Sequence, residues 1–254
     1  MITKAHRFFE SSIEKGIVAS FNKVALGKDF SGERDYAGKV LILARIFIKR
    51  ITDIIFASTF LCISLPIICL ISLAIKLTSK GPVFFRQERI GYQEKVFKIY
   101  KFRTMQQEST EDEHQKYIQY LLKGGYQLEK RTDLLEKYIE YLEARITKIG
   151  RLLRATSLDE LPQLYNVIIG DMSLIGPRPH PVYEVKEYKE WYKRRLNVKP
   201  GLTGWSKLNL RCTPKNYEEA ILYDLWYVDH WSISLDLRIL LLTIPFVIFS
   251  KDAH

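Results

Sequence analysis

Cysteine is scarce: Cys62, Cys69 and Cys212 are the whole complement of a 254-residue chain. Three cysteines at these spacings build neither a disulfide framework nor a metal knuckle, which points to a reducing compartment. Cys62 and Cys69 fall inside an apolar run, where a thiol is expected to pack as a small hydrophobe. No secretory leader is expected, because residues 1–39 lack an apolar core and a small-residue cleavage site. No D-x-D pair occurs, the usual metal-nucleotide signature of enzymes that transfer a sugar alone.

The largest absence is of charge. From Ile54 to Ile75 the sequence reads IIFASTFLCISLPIICLISLAI, with no ionisable side chain other than its cysteines. A bilayer core needs about 20 apolar residues of helix. Pro66 stands near the middle, where it removes a helical hydrogen bond and favours a kink. Basic residues flank both ends, Arg45, Lys49 and Arg50 before and Lys76, Lys80, Arg86 and Arg89 after. Since basic flanks prefer the cytoplasmic side, both ends favour the same side. A re-entrant hairpin bent at Pro66 satisfies both, with Ser64 placed to serve a carbonyl freed by the kink. A kinked spanning helix is the alternative.

What is present in excess is positive charge. The formal net charge is +10, from 39 basic and 29 acidic residues. An anionic partner follows, such as a membrane surface or a phosphorylated small molecule. The basic residues are spread among apolar stretches, which argues against nucleic acid.

Three regions are expected, an N-terminal arm (1–44), a membrane hairpin (45–78) and a cytosolic portion (79–254). Gly81-Pro82 marks a turn and Val83-Phe84-Phe85 a short strand. Residues 97–103 alternate so that Phe97, Ile99, Lys101 and Arg103 share a face, with the two cations able to reach a phosphate. Residues 106–148 read as two helices joined at Gly124-Gly125, serving as a lid, a homodimer contact or plain packed structure. Ser232–Ile248 is apolar, short and broken by Pro245. It suits an interfacial helix, with Trp226, Tyr227 and Trp231 at headgroup level.

The centre of the chain is Thr156-Ser-Leu-Asp-Glu-Leu-Pro-Gln-Leu164. Asp159 and Glu160 are adjacent acids, and Ser157 with Glu160 also fits a capping box at a helix start. Further on, Pro177 and Pro179 flank Arg178 and restrict its backbone, which suits bidentate phosphate recognition. His180 is given no role. In Lys199-Pro-Gly-Leu-Thr-Gly-Trp205, Gly201 and Gly204 are able to adopt positive φ.

Taken together, KGPVFFRQERIG, YKFRTM, RITKIGRLLRATSLDELPQLYNV, GDMSLIGPRP, KPGLTGW and YDLWYVDHWSISLDLRILLLTI resemble the bacterial sugar transferase family, the monotopic phosphoglycosyl transferases. The resemblance covers about residues 45–250 and is to the short form. It implies an α+β, mainly helical, monotopic membrane protein with a Pro-kinked re-entrant helix, a small cytosolic catalytic domain with short strands, and interfacial amphipathic helices. It also implies transfer of a sugar 1-phosphate from a UDP-sugar to undecaprenyl phosphate, at the cytoplasmic face of the bacterial inner membrane. By resemblance Asp159 is the nucleophile and Glu160 a ligand of Mg²⁺, which Asp159 also faces. Arg154, Arg178, Lys101 and Arg103 are then substrate-binding candidates, and a helix N-terminus beneath the phosphoryl group would add N–H dipoles. Pro66, Pro177 and Pro179 are structural, and the phospholipid membrane is a partner. The competing expectations are a non-catalytic membrane adaptor and a glycosyltransferase releasing UDP. One segment departs: after KPGLTGW the family usually runs close to Ala-Gln-Val-Asn-Gly-Arg, whereas this chain has Ser206-Lys-Leu-Asn-Leu-Arg211.

Overall fold

The computed structural model describes residues 36–106, 140–141, 143–210 and 217–249. The expected arm up to residue 35, most of the 106–148 insert and Cys212 lie outside the described residues.

The chain enters through α1 (Tyr36–Thr78), a single helical element of 43 residues that contains Pro66. Among the described residues it is the one helix long and apolar enough to cross a membrane. Asp53, Ala57, Ser64, Ile71 and Ile75 are buried along it, while Ile55, Ile63, Leu70 and Leu77 are exposed. The buried set recurs at helical spacing, so one narrow stripe faces protein and the apolar remainder faces outward. Cys62 and Cys69 lie on that exposed surface and do not pack inside. Ser64 does not serve the carbonyl that Pro66 leaves behind. Its hydroxyl donates to Phe60 O at 2.6 Å, one residue pair further back.

Polar anchors tie α1 to the rest of the fold at Lys49–Asp53 and again just past its C-terminus. About a third of the way along it the Arg50 guanidinium donates to Val167 O at 2.6 Å and Ile168 O at 2.7 Å. These carbonyls lie in the last turn of a helix, where intrahelical partners run out. Asp53 accepts from Leu174 N at 3.0 Å, and Lys49 donates to Ile175 O at 3.0 Å. Beyond its C-terminus, Arg103 donates to Lys80 O at 2.7 Å and Ser79 O at 3.1 Å.

After α1 the chain forms an antiparallel hairpin, β1 (Phe84–Ile90) and β2 (Val96–Phe102), in register from Phe84↔Phe102 to Ile90↔Val96. The first strand is thus longer than the Gly-Pro turn and the Val83–Phe85 run suggested. β2 alternates as its sequence predicts: Phe97 and Ile99 enter the main core, while Phe102 faces a second cluster with Ile71, Ile75 and Leu153. Full burial of one such side chain contributes about 1.5–3 kcal/mol.

Next come α2 (Lys148–Ala155), capped by Thr147, whose hydroxyl accepts from Gly150 N at 2.9 Å, and α3 (Gln163–Ile169). β3 (Ser173–Ile175) and β4 (His180–Pro181) follow, then α4 (Val182–Lys186) and a 3-10 stretch over Glu190–Asn197. The chain continues with β5 (Gly201–Thr203), α5 (Trp205–Asn209), α6 (Tyr217–His230) and α7 (Ile233–Phe249). β4 pairs with β1, giving a sheet ordered β2-β1-β4, and β3 pairs in parallel with β5.

β2 is an edge strand, and its open backbone is met by Asn166 of α3. The Asn166 side chain donates to Lys98 O at 2.8 Å and accepts from Tyr100 N at 3.1 Å, as a further strand would. Gly201 and Gly204 are not left-handed, since the positive-φ glycines are Gly81 and Gly170. They are small because backbones touch: a Cβ on Gly201 would stand 2.1 Å from Gly176 N.

Of the expected headgroup aromatics only Tyr227 is buried, while Trp226 and Trp231 are half-buried. Tyr227 is buried with its hydroxyl 2.7 Å from Asp236, Trp231 Nε1 donates to Asp236 at 3.1 Å, and Trp226 stacks on Trp205. Lys49 also reaches Asp236, at 2.6 Å, so α1 and α7 are joined by an ion pair.

Candidate active site

Asp159 and Glu160 sit in a 3-10 turn over Leu158–Glu160, ahead of α3 and outside its first turn. The capping box does not form. Ser157 is left-handed at φ 54° and its side chain makes no cap bond. Glu160 cannot reach back to it because both of its oxygens are taken by lysines. Oε1 accepts from Lys101 at 3.0 Å and Oε2 from Lys207 at 2.6 Å. α3 spans only seven residues and its N-terminus is Pro162, so the expected row of helix N–H dipoles under the acids is absent.

Charge balance at the turn follows from burial and neighbours. Burial opposes ionisation of Glu160, but Lys101, then Lys207 and Arg178, outweigh it and hold its carboxyl well below the usual carboxylate range. Burial lowers the Lys101 ammonium, and the attraction of Glu160 only partly restores it. Lys101 also lies 3.8 Å from Asp159, which is 6 % exposed.

Arg178 arrives on a backbone fixed at three successive carbonyls. Gly201 N donates to Pro177 O at 2.8 Å, Arg195 to Arg178 O at 2.7 Å, and Arg89 to Pro179 O at 3.0 Å. Its guanidinium reaches Glu160 Oε1 at 4.0 Å and remains 45 % exposed, open to a substrate anion. The proline-flanked arginine of the sequence is therefore a held cation at a pocket rim, as its backbone restriction implies.

One pocket gathers these groups. Lys101, Glu160, Gln163, Arg178 and Lys207 line it, together with Gly176 and residues 201–204. Gln163 is 3 % exposed and its Nε2 has no protein partner, a buried donor that suits a substrate oxygen. Of the sequence candidates, Lys101, Glu160 and Arg178 come together here, and Asp159 is buried just behind them, 3.8 Å from Lys101. Arg103 does not: the alternation that placed it beside Lys101 stops at the strand end, and its guanidinium ties down Ser79 and Lys80. Arg154 donates from Nε to Thr104 Oγ1 at 3.0 Å.

Lys207 and Gln163 were not singled out by sequence reasoning. For Lys207 the signal was its place inside the departing Ser206–Arg211 segment; for Gln163 it was its place at the end of LDELPQ. Arg195 was missed as well. It lies in a run of charge that reads as a solvated face, yet it is 2 % exposed and paired with Asp224.

Glu160 lines the pocket and Asp159 is buried next to it in the same turn, and two neighbouring carboxylates fit a hard, oxygen-seeking divalent cation that takes its remaining ligands from phosphate and water. Among the described residues no cluster of three acidic, histidine or cysteine side chains forms a cage for a metal by itself.

A family model described as bacterial sugar transferase matches residues 44–250. The chain belongs to the bacterial sugar transferase family. Relatives within the family include a UDP-glucose:undecaprenyl-phosphate glucose-1-phosphate transferase of Klebsiella pneumoniae, 41% identical over 213 residues, or 81% of this chain and 41% of the relative. The uncharacterized sugar transferase EpsL of Bacillus subtilis (strain 168) is 40% identical over 81% of this chain and 90% of its own length. The exopolysaccharide production protein ExoY of Rhizobium meliloti (strain 1021) is 35% identical, covering 81% and 88%. The chain spans about two fifths of the length of the Klebsiella protein and of a like-named Escherichia coli (strain K12) relative.

Proposed function

We propose that the chain transfers a sugar 1-phosphate from a UDP-sugar to undecaprenyl phosphate, the first membrane step of an envelope polysaccharide or glycoconjugate. The observation that carries this reading is the pocket itself, where Glu160 meets Lys101, Arg178 and Lys207, with Asp159 buried beside it 3.8 Å from Lys101. Phosphoryl transfer needs cations around a diphosphate and a nucleophile beside them. Names of relatives within the same family support the same donor and acceptor classes.

In this reading an Asp159 oxygen attacks the sugar-bearing phosphorus. The bond to the bridging diphosphate oxygen breaks, UMP leaves, and a sugar-phosphoryl aspartate remains. An oxygen of undecaprenyl phosphate then attacks the same phosphorus and returns the carboxylate. Splitting transfer in two lets a weak nucleophile work through an activated acyl phosphate. Lys101 and Arg178 hold the phosphates, and Gln163 Nε2 donates to a donor oxygen. Asp159 and Glu160 would hold Mg²⁺, which when bound neutralises the diphosphate.

Membrane docking is read from α1. Its exposed face is apolar, yet its first half is bound to the domain through Arg50 and Asp53, its middle packs on the main core through Ala57 and Leu61, and its second half packs on the other cluster through Ile68, Ile71 and Ile75. Both halves thus meet the domain that carries the charged pocket. A helix crossing the whole bilayer would drag that domain into hydrocarbon, at large cost to its ions. A re-entrant, monotopic placement at the cytoplasmic face leaves the pocket at the interface, where soluble donor and lipid phosphate both arrive.

The test is the nucleotide released by purified protein in nanodiscs with Mg²⁺, undecaprenyl phosphate and a panel of UDP-sugars. UMP release, lost by at least about a thousandfold in Asp159→Asn as for removal of a nucleophile, supports the reading. Release of UDP would sink it, and turnover unaffected by the substitution would remove Asp159 from the chemistry.

A further inference from the structure

The most tightly held acid in the pocket is Glu160, and the way it is held constrains how a metal reaches it. Both carboxylate oxygens carry an ammonium, Lys101 at 3.0 Å and Lys207 at 2.6 Å, with Arg178 at 4.0 Å. A divalent cation approaching Glu160 alone meets those like charges at contact distance, and in a partly buried site that repulsion is only weakly screened. The two lysines are not equivalent. Lys101 stands on β2, braced by Asn166, and has Asp159 at 3.8 Å as a second acid. Lys207 stands on the short helix α5, and among the described residues its ion pair is with Glu160 alone. Its flexible stem lets the ammonium swing away once another anion offers itself.

We propose that Lys207 is a positioning residue that keeps Glu160 closed to metal until a diphosphate enters the pocket. The diphosphate then takes the Lys207 ammonium, Oε2 of Glu160 is exposed, and metal and nucleotide bind as a cooperative pair. This deepens the transfer reading above and rests on it for the identity of the diphosphate. It also gives the departing segment a consequence. The family pattern that this segment departs from has glutamine at the place of Lys207, a side chain with no charge to close the carboxylate.

The coupling is reciprocal, so it can be read from the metal side without turnover. The experiment is a Mn²⁺ titration of the full chain in nanodiscs, following free Mn²⁺ by electron paramagnetic resonance, with and without UDP. Glu160→Gln supplies the baseline for Mn²⁺ carried by UDP alone. Wild-type protein is expected to bind Mn²⁺ at least about tenfold more tightly with UDP, the scale of one charge-assisted hydrogen bond. Lys207→Gln, with Lys207→Met as a second neutral variant, is expected to bind tightly without UDP and to lose most of the coupling. Lys207→Arg, which keeps the cation, retains it. Equal Mn²⁺ affinity of wild type and both neutral variants without UDP overturns the proposal and leaves the transfer reading untouched. Conversely, coupling that persists in a protein releasing no UMP from any donor sinks the transfer reading while the closure of Glu160 stands.

Discussion

Replacing Arg195 by leucine tests whether the fold or the surface owns the charge run of residues 193–195. The guanidinium, 2 % exposed, pairs with Asp224 and donates to Tyr188 Oη at 2.6 Å and Arg178 O at 2.7 Å, with His180 Nδ1 at 2.8 Å. Burial pushes the Asp224 carboxyl up and Arg195 pulls it back, so the acid depends on that partner for its charge. Breaking a buried pair from one side costs about 3–5 kcal/mol because the other charge is stranded. For a chain of this size each kcal/mol moves the melting temperature by about 2–4 °C, so Arg195→Leu should lower it by roughly 6–20 °C. Removing both charges in Arg195→Leu/Asp224→Leu should recover a large part of that loss. Thermal unfolding in detergent reads both, and donor KM should rise more than kcat falls, because Arg178 loses the contact that fixes its backbone. A single variant melting within about 2 °C of wild type, or a double variant as damaged as the sum of the singles, would refute the reasoning.

Asn166→Ala should cost about 2–6 kcal/mol, since it strips partners from Lys98 O and Tyr100 N at about 1–3 kcal/mol each, and should lower turnover by loosening Lys101; melting and UMP release measure the two effects. The pH profile is set by two downward shifts from ordinary values. Lys101 is lowered, so the alkaline limb of kcat/KM should fall below the free lysine value of about 10.4, as rising pH removes the proton that binds phosphate. Glu160 is also lowered, so its contribution to stability is fully present above about pH 4.3 and is lost only as pH falls through its folded value; unfolding measured between pH 3 and pH 7, on the order of the carboxylate range, should show no loss from this group near neutrality.

Much of the site was legible because it depends on local rules. Period two on Phe97, Ile99 and Lys101 correctly put a cation on a core-facing strand surface. Two prolines announced the restraint on Arg178. The misreadings came where distant charges decide. Ser157 and Glu160 have the spacing of a cap, but lysines from β2 and α5 take the glutamate, and nothing near residue 160 reports them. Arg103 obeyed the alternation one residue past the end of the strand, and the carbonyls behind α1 claimed it. Arg195 looks solvated in sequence because its counter-ion, Asp224, lies on a helix that begins after it.

The anchors along α1 make that helix unfit for the role of a detachable tether. Arg50 closes the end of α3, Asp53 closes β3, Ala57 completes the main core, and Ile71 and Ile75 complete the second. Truncation at residue 79 would therefore yield no soluble enzyme, only a chain with exposed core and unmet backbone groups. During synthesis the same wiring sets an order of events. Helix α1 precedes every other described element in the chain, so it is available as the template on which the strands and helices around the pocket later assemble.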